Sequence, residues 1–135
     1  MLRSLEQERA NFAWECIQKV KNLNEEKIEK SYNSYVKKTP PLIQTNGLGN
    51  SLAFYKSKFG SEKDEKLSSD KRAYKLLYEH INNWFNRKYQ KNKDIIDWII
   101  HQNTSSTEVF QVTKEILALL SWMKRFAEAE LKEGE

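Results

Sequence analysis

Apolar side chains recur every three or four positions along most of the chain and nowhere alternate with polar ones. That is the period of helices, not strands. Ser4 and Gln7 form a capping-box pattern that opens a helix running to about residue 22. Its core stripe is Leu5, Phe12, Cys16, Val20 and Leu23, widened by Ala13 and Ile17. At about 100° per residue, Trp14 projects roughly opposite that stripe. A second helix, from about residue 25 to 38, carries Ile28, Tyr32, Tyr35 and Val36 and is expected to stop at Pro40-Pro41. Residues 42–46 then suit one short helical turn closed by Gly47.

Leu48, Leu52, Tyr55 and Phe59 share the next narrow stripe. Residues 60–69 are polar and charge-rich, with Leu67 their sole apolar anchor, and are expected to form a mobile loop. A long helix over residues 70–89 places Tyr74, Leu77, Tyr78, Ile81, Trp84, Phe85 and Tyr89 on its inner face. A short one over 94–101 carries Ile95, Ile96, Trp98, Ile99 and Ile100. Ser105 with Glu108 is a second capping box, and the period after it continues to Leu131.

That last helix would be roughly 40 Å long, against a radius of gyration of about 14 Å for a globule of this size. Its stripe is Val109, Val112, Ile116, Leu120, Met123 and Ala127. Leu117, Leu119, Trp122 and Phe126 spread it past half the circumference. A helix apolar on most sides is normally buried on most sides. Either it is the central helix of a bundle, or Trp122 and its neighbours meet another subunit. The predicted fold is all-α: a single domain over residues 1–135, a compact bundle of about five to six helices with a long C-terminal one.

Composition narrows the function. The chain has 135 residues, 39% hydrophobic and 31% charged, enough apolar surface to fold. Its net charge of +4 permits nucleic-acid binding without demanding it, since clustering on one face decides. Cys16 is the only cysteine, so neither an intrachain disulfide nor a thiolate zinc cage can form. Among Phe12, Ile17 and Val20 at helical spacing it fits a small core residue. No run approaches membrane-spanning length and the N-terminus lacks an apolar signal region, so a cytoplasmic protein is expected.

Signals for catalysis are poor. His80 and His101 fall on separate predicted helices, and neither has a metal-ligating partner one turn away. Seven residues separate Arg72 from His80, outside the Arg-x4-6-His spacing of helical HEPN ribonucleases. The run Asn46-Gly47-Leu48-Gly49 lacks the strand and the lysine of a phosphate-binding P-loop. No enzyme, cofactor or metal is expected.

Basic residues interleaved with aromatics carry more. Lys37 and Lys38 precede the proline corner, and Lys56 and Lys58 follow it. Phe54 lies off the core stripe with Lys58 as its i+4 neighbour, while Lys56 borders the stripe's other side. Lys58 and Phe54 could make a phosphate contact beside a stacking surface. Alternatively Phe54 packs on a second helix, and Lys37 and Lys38 only complement a helix C-terminus. Lys124 and Arg125 interrupt the apolar C-terminal sequence, where Lys124 could simply pair with Glu128. Arg87, Lys88, Lys91 and Lys93 fit a solvated helix end.

Several segments, in order along nearly the whole chain, resemble one family. They are Tyr35-Val36-Lys37-Lys38-Thr39-Pro40-Pro41-Leu42-Ile43-Gln44-Thr45-Asn46-Gly47-Leu48-Gly49, then Leu52-Ala53-Phe54 and Lys56-Ser57-Lys58. Glu8-Arg9-Ala10 with Ala13 belong with them, as does Leu119-Leu120-Ser121-Trp122-Met123-Lys124-Arg125-Phe126-Ala127-Glu128. The chain is similar to the small helical subunit of the Cmr complex, the type III-B CRISPR effector that cleaves RNA under guide control. Residues 60–103 match it only in being helical.

The resemblance implies a non-catalytic subunit in antiviral defence. Copies of it stack head to tail into the minor, or belly, filament, beside the backbone subunits that hold the guide RNA and in contact with the large polymerase-like subunit. A basic face lines the target strand of the guide–target duplex. On that basis Lys37, Lys38, Lys56, Lys58, Lys124 and Arg125 are the expected RNA contacts. Trp122, Phe126 and Trp14 are the expected subunit contacts. Two other classes stay open: a small helical DNA-binding regulator turning at Asn46-Gly47 and reading with Asn50, Ser51 and Lys58, or a structural adaptor without nucleic-acid contact.

Overall fold

Both capping boxes form. In the computed structural model, which describes residues 2–134, Ser4 Oγ accepts from the Gln7 amide at 3.1 Å and the Ser4 amide donates to Gln7 Oε1 at 2.9 Å. Ser105 and Glu108 repeat the arrangement at 3.1 and 2.9 Å. Each box satisfies amides that a helix start leaves without partners. The first opens α1 (Leu5–Lys21) and the second opens α6 (Ser106–Glu130).

Between them lie α2 (Glu26–Asn46), α3 (Leu48–Phe59), a 3-10 turn at Asp64–Lys66, α4 (Ser69–Tyr89) and α5 (Ile95–Ile100). The fold is all-helical, with no strand among the described residues. The segment 60–69 contains the 3-10 turn, where Lys75 of α4 reaches back to Asp64 at 2.8 Å and to the Glu62 carbonyl at 3.3 Å.

One helix boundary is corrected. The proline pair does not stop α2, which runs unbroken through Pro40 and Pro41 to Asn46. Each proline removes one backbone donor, so the carbonyls four residues earlier lose their helical partners. Thr39 Oγ1 donates to the Tyr35 carbonyl at 2.6 Å and lies 2.6 Å from the Tyr55 hydroxyl. With its single proton committed to the carbonyl, Thr39 accepts from Tyr55, which pins the proline turn to α3.

α6 packs along α1 and also meets α2 and α4, while α4 lies against α2 and α3. One stripe of α6 faces the core, with Val112, Ile116, Leu119, Leu120, Met123 and Ala127 all buried, while Phe110, Lys124 and Arg125 stay exposed. Its 25 residues span about 37 Å. Cys16 is buried as expected, and burial pushes its thiol up to about 12.

Buried polar groups join distant elements. Glu115, 6% exposed, accepts from Arg9 Nε and Nη2 at 2.7 Å each and from Trp84 Nε1 at 3.1 Å. Burial alone would raise the Glu115 carboxyl, but the bonds from Arg9 and Trp84 outweigh it and hold the group below its ordinary value. The Asn33 amide reaches the carbonyls of Ala127, Leu131 and Lys132 at 3.2–3.4 Å, taking up the C-terminus of α6.

Candidate nucleic-acid interface

A single residue, Gly47, joins α2 to α3. Its backbone, at φ +84° and ψ 159°, is a conformation essentially confined to glycine. The Gly47 amide donates to the Ile43 carbonyl at 2.7 Å, and its own carbonyl accepts from Ser51 Oγ at 2.7 Å. Two residues on, Gly49 lies so near α5 that a Cβ there would meet Ile99 Cγ2 at 3.2 Å. The bend and this close approach seat α3 with Leu48, Leu52, Tyr55 and Phe59 inward. Phe54 is left 45% exposed on the outside, as its place off the stripe predicts.

Around Phe54 the three helices assemble an aromatic cluster. Tyr35 of α2 and Tyr74 of α4 stack at 3.9 Å with an interplanar angle of 8°. Phe54 meets Tyr74 edge-on at 6.2 Å, and Tyr55 lies 5.1 Å from the same ring. Lys58 Nζ sits 4.7 Å from the centre of Phe54 and 5.9 Å from that of Tyr74, within cation–π range of both. Tyr35, Lys38, Leu42, Phe54, Tyr55 and Tyr74 line a cavity of about 180 Å³. Burial drives the Tyr35 hydroxyl well above its ordinary range and raises that of Tyr55, so both phenols stay neutral.

The six candidate cations take different surroundings. Lys38 and Lys58 share this corner, and among the described residues neither has a carboxylate within ion-pair distance. Lys37, one residue from Lys38 on the helix, instead pairs with Glu133 at 3.1 Å. Lys56 lies 3.7 Å from Asp94 and 5.7 Å from the centre of the Tyr78 ring. The Tyr78 hydroxyl in turn donates to Asp94, 2.7 Å from each carboxylate oxygen.

On α6, Lys124 is exposed and does not pair with Glu128 among the described residues. Arg125 borders a crevice of about 400 Å³ with Glu6, Ala118, Ser121 and Trp122.

The three candidate subunit contacts come together. Trp14, 41% exposed, meets Phe126 edge-on at 5.2 Å, and Trp122 lies 5.7 Å from Phe126. Trp122 Nε1 donates to Glu6 at 3.2 Å. Residues of α1 and α6 therefore form one aromatic face.

Tyr74 and Tyr35 are the site residues that the periodicity missed, because both fall on inward stripes. The available signal was local: Tyr35, Lys38 and Leu42 recur at i, i+3 and i+7 on one face of α2. The helix-turn-helix reading fares poorly, since such a motif needs a turn of three to four residues and here only Gly47 intervenes. Ser51, offered as a base reader, is 1% exposed with its hydroxyl committed to Gly47.

The family model of the CRISPR-associated protein Cas_Cmr5 matches residues 5–130. The chain belongs to this family, the small subunit of Cmr complexes in type III-B systems.

Proposed function

We propose that this Cmr subunit is non-catalytic and holds the target RNA strand along the guide RNA, within the belly filament formed with copies of itself. In this reading it lies against the backbone subunits, touches the large polymerase-like subunit, and acts in the cytoplasm where its RNA targets are. The observation that carries the RNA role is the pair Lys38 and Lys58, free of carboxylate partners and set beside exposed aromatic surface. Phosphate contacts position a strand without reading its sequence, which suits a subunit that must accept any target. Lys124 and Arg125 add cations on α6, while Lys37 and Lys56 would exchange a carboxylate partner for a phosphate.

The non-catalytic part is supported by the burial of His80, one of the chain's two histidines, away from any reacting group. That burial lowers its pKa to about 4, so the ring is neutral, with Nδ1 in a 2.6 Å hydrogen bond to the Tyr32 hydroxyl. No group of three or more potential metal ligands occurs among the described residues, and no described helix is long and apolar enough to cross a membrane.

The test is the salt dependence of target-RNA retention by the assembled Cmr complex. Each single-strand phosphate neutralised contributes about −0.7 to the slope of log K against log salt. Charge reversal at Lys38 and Lys58 should weaken retention and flatten the slope by about 0.7 for each phosphate no longer neutralised. An unchanged slope with both lysines reversed removes them from the RNA surface.

A further inference from the structure

We propose, building on that reading, that the cavity between α2, α3 and α4 receives one unpaired nucleobase of the bound RNA strand. Lys38 and Lys58 would take the phosphates on either side of that nucleotide. Phosphate binding alone does not call for the rest of this corner. A surface that merely neutralised phosphates would need lysines and no exposed phenyl ring, yet Phe54 stays 45% exposed beside a nearly wholly apolar opening.

The size and chemistry of the cavity fit a flat ring. An apolar cavity of about 150 Å³ accepts benzene, and this one is about 180 Å³. Tyr74 and Phe54, near perpendicular at 81°, supply a face and an edge to a ring entering between α2 and α3. Every base has a π-face, so such a pocket stacks a nucleotide whatever its identity.

Charge singles out nucleic acid over an apolar peptide as the occupant. Lys38 lines the opening and Lys58 rests on Phe54, so anionic groups are favoured at the rim while the interior accepts an uncharged ring. Lys58 has a flexible four-carbon stem. It can swing from the Phe54 face to a phosphate while a base occupies the cavity, which Lys58 does not line. A base inside a duplex is already stacked and paired, so the corner would select a nucleotide displaced from pairing.

The experiment uses the full chain and a single-stranded oligoribonucleotide carrying one 2-aminopurine, at low salt. Stacking in the cavity should quench the probe. An oligomer with an abasic site in that position, or the same sequence as duplex, should bind about tenfold more weakly. Phe54→Ala should remove the quenching and about tenfold in affinity. Leu42→Trp, which fills the cavity and keeps every ring and lysine, should do the same.

Lys58→Ala should flatten the salt slope by about 0.7 yet leave quenching at saturation. Equal affinity for the abasic and intact strands, or no quenching at all, overturns the base pocket. The phosphate reading would then still stand if the Lys58→Ala slope falls. A slope indifferent to Lys58 with quenching intact would overturn the phosphate contact and retain the pocket.

Discussion

Arg9 and Glu115, 106 residues apart, meet through two hydrogen bonds of 2.7 Å that join the first turns of α1 to the middle of α6. A third bond, from Trp84 of α4, makes Glu115 the polar junction of three helices. Removing the guanidinium leaves a buried carboxylate with one neutral donor, and breaking a buried pair from one side costs about 3 kcal/mol or more. Arg9 is slightly exposed, so water recovers part of that.

Arg9→Ala should therefore lower stability by about 2–3 kcal/mol, read as a lower urea midpoint at unchanged m-value. Arg9→Met combined with Glu115→Leu should cost less than the two single changes added together. A single-variant loss below about 0.5 kcal/mol, the ordinary size for a surface change, would show that the junction contributes nothing to stability.

Acid should weaken the fold well before ordinary carboxylates titrate. Burial, helped by the positive charge of Lys19, lowers His80 to about 4 from an ordinary value of 6.5. Below pH 6.5 the unfolded chain binds the proton that the folded chain refuses, so stability falls as pH drops. Between pH 7 and pH 5.5 the loss should be about 1 kcal/mol, approaching about 3 kcal/mol near pH 4. Glu79, raised by burial, acts with the opposite sign, but at lower pH. His80→Phe should abolish the drop above pH 5.5 while losing the Tyr32 bond. Urea titrations at pH 7 and 5.5 make the comparison, and an equal drop in both proteins would remove His80 as its source.

The parts legible in the sequence are those set by short-range physics. Each capping box lies within four residues, and both formed. The 100° step separated Lys56 from Lys58, and they indeed face Asp94 and Phe54 respectively. Trp14 likewise faced away from its stripe and onto an aromatic surface. What was not legible depends on partners far along the chain. Glu115 stands next to an apolar stripe and looks like a solvated carboxylate until Arg9 and Trp84 arrive. Pro40 and Pro41 look like a stop because the local backbone loses two donors, yet α2 continues through them, with Tyr55 of α3 bonded to Thr39 just before the pair. Tyr74 looks like core, and only the arrival of Phe54 and Lys58 from α3 makes it part of a surface cluster.

The aromatic face of α1 and α6 allows assembly to be separated from folding. The wide apolar arc of α6 is mostly accounted for within the chain, since Leu119 is fully buried and Leu117 packs on the core. Trp14 is different: it is 41% exposed and its main aromatic contact is the edge of Phe126. Truncating a half-exposed tryptophan removes limited packing, whereas interface hot spots are enriched in tryptophan and cost at least 2 kcal/mol when truncated. Trp14→Ala should therefore shift thermal unfolding by only a few degrees yet reduce incorporation into the Cmr complex about tenfold or more. Trp122→Ala also loses the bond to Glu6, so it should lower both stability and incorporation. Co-purification with tagged Cmr subunits, set beside thermal melts of the isolated variants, gives both numbers. Full incorporation of both Trp14→Ala and Trp122→Ala, with only a lower melting point for the latter, would make this face ordinary surface and Trp122 a packing residue.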